Sequence, residues 1–133
     1  MLDSAPAKHF SRVAEILSGF DLAYLHLIEA PSPAVGVPET RSHLRRAFKG
    51  PLMVAGGYTQ ASAEAGLAED RADLVAFGEA FIANPDLTQR MRLGAPLNPV
   101  DKSTFYSGGP RGYVDYPTLE EAEAVSPLRA STN

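Results

Sequence analysis

From Pro51 to Asn84 the chain reads as two apolar runs, each ended by glycine, with an Ala- and Glu-rich segment between them. The first is Leu52–Ala55, followed by Gly56 and Gly57; the second is Leu74–Phe77, followed by Gly78. Neither run alternates apolar with polar residues, as expected of parallel strands buried on both faces. The pattern is therefore βαβ. Two parallel strands joined by a crossover present their carboxyl ends at the same sheet edge. Glycine at such an end leaves backbone amides uncovered by a Cβ, a setting that suits a phosphate. The same glycines would also serve plain tight βα turns, and spacing alone does not separate the two readings.

The flanking sequence repeats the alternation. Ala5–Phe20 predicts a helix with Phe10, Val13, Ala14 and Leu17 on one buried face, Ser4 as N-cap and Pro6 in the first turn. Leu22–Ile28 predicts a strand ending at Glu29, and the three prolines of 30–38 predict an irregular loop. Thr40–Phe48 predicts a short helix burying Leu44, Ala47 and Phe48. A helix over Gln60–Glu69 is expected to be capped by Thr59 or Ser62. Asn84-Pro85-Asp86 reads as the start of another, with Asn84 as N-cap, running to about Arg92 and stopped by Gly94. Residues 98–117 are rich in glycine and aromatics without periodicity. Thr118–Glu121 matches a capping box for a short last helix, and Ser126–Asn133 is expected to fray.

Composition narrows the functional classes. The chain has 133 residues, 44% apolar and 21% charged, enough for a real core. A net charge of −4 gives no footing for nucleic acid. Without cysteine there are no disulfides or thiolate metal sites. No apolar run approaches the roughly 20 residues that span a bilayer, and the amino terminus lacks the regions of a signal peptide. The expectation is a cytoplasmic protein with no membrane partner. His26, inside a strand, is expected to be a satisfied core histidine. Glu29 is expected to be a solvated loop acid rather than a pocket residue. His9 and His43 are expected to be surface residues rather than metal ligands.

Three parallel strands alone would leave buried-type strands as open edges. A complete (β/α)8 barrel needs about 250 residues. The repeating units therefore suit an α/β fold that is the later part of such a barrel, an incomplete barrel if alone.

Residues 72–87, Arg92–Asn98, Ser103–Tyr106 and Gly112–Pro117, with Leu22–Glu29 and Val54–Tyr58, together resemble the C-terminal half of the old yellow enzyme family, FMN-dependent ene-reductases. The resemblance implies a (β/α)8 TIM barrel, with Leu22–Ile28, Leu52–Ala55 and Leu74–Phe77 as strands six to eight. Residues 1–98 would be the partial barrel, and 99–133 a tail over its rim. It implies FMN as cofactor and NAD(P)H as reductant, with an electron-poor alkene or quinone as substrate. Gly56, Gly57 and Gly78 would offer amides to the FMN phosphate, and Tyr106 and Phe105 would line the substrate pocket; a tail aromatic packed on the rim is the competing reading for Tyr106. Glu79 departs from the pattern, since the family has there an arginine that pairs with the phosphate. Arg111 is expected either to pair with Glu79, to approach the phosphate, or to be an exposed tail residue. The groups that hold the substrate carbonyl, donate the proton and contact most of the flavin ring belong to the family's earlier half. The chain is thus expected to be inactive alone. Its partner would be the N-terminal half of the barrel or, as a non-catalytic phosphate- or flavin-binding module, a second copy of itself.

Overall fold

The glycine-ended runs are neighbouring parallel strands. A computed structural model describes residues 5–29, 37–106 and 108–130, which fall into two compact units, Met1–Phe77 and Gly78–Asn133. The first unit contains α1 (Pro6–Leu17), β1 (Leu25–Ile28), α2 (Val37–Ala47), β2 (Leu52–Ala55), α3 (Gln60–Ala68) and β3 (Leu74–Ala76). The sheet order is β1-β2-β3, all parallel, with Leu27 opposite Val54 and Val54 opposite Val75.

One face of the sheet carries the core. Leu52, Val54 and Ala72 are buried with Leu25, Leu27, Val75 and Tyr58 packed against them. Leu25 and Leu27 also meet the Ala14, Leu44 and Phe48 cluster of α1 and α2. Each fully buried Leu or Val side chain stabilises by about 1.5–3 kcal/mol, so this face dominates the packing of the unit. The other face carries the alternate residues. On it, His26 is exposed and Ile28 is 74% exposed.

That uncovered face corrects two expectations. His26 is not a core histidine: it is exposed, and among the described residues of the first unit nothing is packed over it. In α1, Ala14 and Leu17 pack toward α2, while Phe10 and Val13 are exposed. The apolar stripe is therefore wider than the surface available to bury it. Element ends also shift: β1 starts at Leu25 and α2 at Val37, earlier than the Thr40 expected from the prolines. Ser4 and the greater part of the proline-rich loop lie outside the described residues. Thr59 caps α3, and Ser62 returns a bond to its backbone, so both candidates act as one capping box.

Register is pinned at the amino ends of the strands. The Leu52 amide donates to Asp73 Oδ2 at 2.8 Å, and Arg45 bridges Asp73 and Asp70. The Leu52 amide and the Arg45 guanidinium hold the Asp73 carboxyl below its usual range.

The second unit contains α4 (Glu79–Ala83), α5 (Leu87–Leu93), a 3-10 turn (Lys102–Thr104) and α6 (Leu119–Ala130). Helix α4 was not legible as a helix, being only five residues long. Asn84 ends it rather than capping α5. Its side-chain Nδ2 donates to Ala80 O at 2.8 Å, and its side-chain Oδ1 accepts the Asn98 backbone amide at 2.8 Å. Asp86 takes the N-terminal position of α5, and Gly94 ends that helix as expected. The Thr118–Glu121 box forms, and the helix behind it continues to Ala130, longer than the short helix expected.

Arg90 ties this unit together. Its side chain is 2% exposed and donates to Asp86 Oδ1 (2.7 Å), Pro96 O (2.6 Å) and Pro117 O (2.9 Å). Asp86 Oδ2 in turn accepts the Leu119 amide at 2.7 Å. Burial opposes ionisation of Asp86, but the Arg90 and Leu119 bonds outweigh it and lower its pKa. A carboxyl with a depressed folded pKa contributes stability above the unfolded value of about 3.9, which is lost as pH falls through the folded value. Asp86→Asn is therefore expected to flatten the acid limb of a stability-versus-pH curve below about pH 4. An acid limb identical to that of the unsubstituted chain would refute this assignment.

Candidate anion site at the strand ends

At the carboxyl end of β2 the chain turns sharply through Gly56 (φ +122°) and Gly57 (φ +71°). A side chain at Gly56 would overlap the Glu29 carbonyl oxygen, so the end of β1 passes directly against this turn. The Glu29 amide donates to Ala55 O at 2.7 Å and extends the β1–β2 ladder to that point. Gly57 differs: within 4 Å of where its Cβ would lie there is nothing, and the residue is exposed. Backbone in this conformation with no side chain and open space beside it is the setting in which amides accept an anion. The expected glycine site is thus two glycines with different jobs, one for close packing and one for access.

Beside the turn lies a polar cluster. Glu29 is 9% exposed, the opposite of a solvated loop acid. Arg41 Nη1 lies 2.8 and 3.0 Å from its two carboxylate oxygens and 3.1 Å from Tyr58 Oη. The Tyr58 hydroxyl donates to Glu29 Oε2 at 2.6 Å. Burial first, then the Glu29 carboxylate, push the Tyr58 hydroxyl above its ordinary value, so it stays protonated and a donor. Sequence reasoning missed Arg41 and the role of Tyr58. A signal existed, since Glu29 and Tyr58 both follow the ends of neighbouring strands.

The comparisons with known proteins decide what this arrangement belongs to. Residues 2–98 match the model of the NADH:flavin oxidoreductase / NADH oxidase family. The chain belongs to that family. It is 44% identical over 113 residues to 12-oxophytodienoate reductase 2 of Arabidopsis thaliana, covering 81% of this chain and 30% of that protein. It is 44% identical over 111 residues to a 12-oxophytodienoate reductase-like protein of Solanum lycopersicum, covering 83% and 30%. Among solved structures, morphinone reductase superposes with a TM-score of 0.80 at 44% identity, over 91% of this chain and 33% of that one. The old yellow enzyme from Trypanosoma cruzi gives 0.82 at 32% identity, over 90% and 32%. The chain therefore spans about a third of the length of the family members it matches. Its fold is that of the family: α/β with parallel strands.

The remaining candidates lie in the second unit. Gly78 opens α4, is exposed and has a negative φ of −89°, with nothing within 4 Å of a would-be Cβ. Glu79 is the first residue of α4, and Lys102 Nζ sits 2.8 and 3.1 Å from its carboxylate oxygens. Arg111 instead faces Asp101, at 4.0 Å, so the cation beside Glu79 is Lys102. Ser103 holds the Asp101 carboxyl below its usual range, through its hydroxyl and amide. Phe105 and Tyr106 meet edge to face, ring centres 6.3 Å apart. Tyr106 is 94% exposed and has φ +58°, a conformation costly to a side-chain-bearing residue. Its amide donates to the Tyr113 hydroxyl at 2.9 Å, which helps hold it there. Phe105 is partly exposed and Tyr106 almost wholly so. Among the described residues no group of His, Asp and Glu could hold a metal, and no helix is long and apolar enough to cross a membrane.

Proposed function

We propose that this chain supplies phosphate-binding backbone to an FMN-dependent NAD(P)H oxidoreductase of the ene-reductase type, as strands six to eight of a (β/α)8 barrel. The observation that carries the reading is the exposed, positive-φ Gly56–Gly57 turn at the carboxyl end of β2, where barrels commonly bind phosphate. A phosphate would find room there, since apart from its chain neighbours nothing lies within 4 Å of where a Gly57 Cβ would be. When bound, FMN would carry hydride from NAD(P)H to an electron-poor alkene or quinone; the protein binds, orients and excludes water. Gly56 and Gly57 would hold the phosphate end. Tyr106 and Phe105 would form pocket wall, and no residue of this chain acts as proton donor. In this reading residues 1–98 make barrel units and 99–133 a tail over the rim.

Glu79 brings the opposite charge to the arginine implied by the family resemblance, and Lys102 neutralises it within its own unit. Phosphate affinity would then rest on backbone amides rather than on a guanidinium, and FMN would be held more weakly than in relatives with the arginine.

The test is complementation. Mixing the chain with a fragment that covers the first two thirds of a related reductase is expected to give a yellow complex that oxidises NAD(P)H, with neither component active alone. A colourless, inactive mixture would refute the reading. The uncovered sheet face around Ile28 favours a second reading, a self-associating half-barrel without redox chemistry. Sedimentation of the chain alone as a monodisperse monomer would remove it.

A further inference from the structure

The Gly56–Gly57 turn is gripped at both ends by one residue. On one side Gly56 packs directly on the Glu29 backbone, leaving no room for a Cβ. On the other, Tyr58, the residue immediately after the turn, donates its hydroxyl to the Glu29 carboxylate at 2.6 Å. Arg41 neutralises that carboxylate and contacts the same hydroxyl. All three residues belong to the first unit, and both charged side chains are nearly buried, at 13% and 10% exposure. A buried ion pair contributes little stability over apolar packing of the same volume. What this one does contribute is direction: it holds Tyr58, while the Glu29 backbone packs on Gly56, at the two ends of a two-glycine segment that would otherwise be among the freest stretches of backbone.

We propose that Glu29 is a positioning residue that, through Tyr58 and Arg41, holds the Gly57 amide in its open, anion-accepting orientation. The inference rests on the phosphate reading of this turn and extends it to residues that touch no ligand. Tyr58→Phe removes the hydroxyl grip and keeps the ring that packs against Leu52 and Val54. Glu29→Gln keeps the shape and removes the charge.

The experiment uses the 15N-labelled full chain and reads three quantities in each variant: the backbone order parameter of Gly57, exchange of the Val54 and Val75 amides, and the shift of Gly57 on titration with inorganic phosphate. In Tyr58→Phe, loss of a hydrogen bond to a charged acceptor is expected to lower the Gly57 order parameter to below about 0.6 and to weaken phosphate binding at Gly57 by about tenfold. Val54 and Val75 exchange should not move. Glu29→Gln should do the same or more. An unchanged Gly57 order parameter in both variants overturns the proposal. So does a loss of strand protection in step with Gly57 in both, which marks a purely structural role. If phosphate fails to move Gly57 even in the unsubstituted chain, the phosphate reading falls. The positioning role is then decided by the Gly57 order parameter alone, with a lowered value supporting it and an unchanged value ending it.

Discussion

Gly56→Ala is expected to destabilise the first unit by about 3 kcal/mol or more, because a strained backbone and a steric overlap add at one position. Its φ of +122° lies where side-chain-bearing residues are rarely found, and the new methyl would meet the Glu29 carbonyl oxygen. That oxygen belongs to backbone held by the Glu29 amide bond to Ala55, so it cannot swing away as a flexible side chain could. Relief would require separating the ends of β1 and β2. Gly57→Ala is the control. Its φ is also positive, at +71°, yet its would-be Cβ meets nothing. Only the backbone cost applies, about 1 kcal/mol. Denaturant midpoints of the two variants should therefore separate clearly, with Gly56→Ala far lower. Equal midpoints would mean that β1 does not press against this turn.

Arg90→Ala is expected to cost about 3–5 kcal/mol in the second unit, the range for removing one partner of a buried ion pair. The loss is not the ion pair alone. Asp86 Oδ1 and Pro96 O lose the Arg90 donor at once, and Pro117 O keeps only the Asn98 side-chain amide. Asp86 also holds the amide of Leu119 at the start of α6, so the helix would lose a fixed anchor. Removing both charges should be milder than removing one. The double variant Arg90→Met with Asp86→Leu is expected to recover part of the loss, since no uncompensated charge then remains buried. An Arg90→Ala cost below about 1 kcal/mol, typical of an exposed pair, would contradict this role.

The strands were legible because their signal is strong and local. Leu52–Ala55 forms as expected, and Leu74–Phe77 loses only its last residue, since unbroken apolar runs that end in glycine have few alternatives. The caps at Thr59 and Thr118 were legible for the same reason: the bonds run between residues three apart. What the sequence hid depends on distance or on missing surface. Glu29 looks like a loop acid until Arg41 and Tyr58 arrive from 12 and 29 residues away. Of the three expectations for Arg111 the exposed tail residue is the one that fits, and the 3-10 turn at Lys102–Thr104 brings Lys102 to Glu79. Phe10, Val13 and His26 read as core because their periodicity and strand setting are those of core residues; they are exposed, since among the described residues of the first unit no layer covers them.

The most direct test is a side-by-side titration of the 15N-labelled chain with FMN and with riboflavin, which differ in the phosphate, while the Gly57 amide is followed by NMR. The account predicts that FMN shifts Gly57 and riboflavin leaves it in place. A Gly57 resonance that responds to both alike, or to neither, would contradict it.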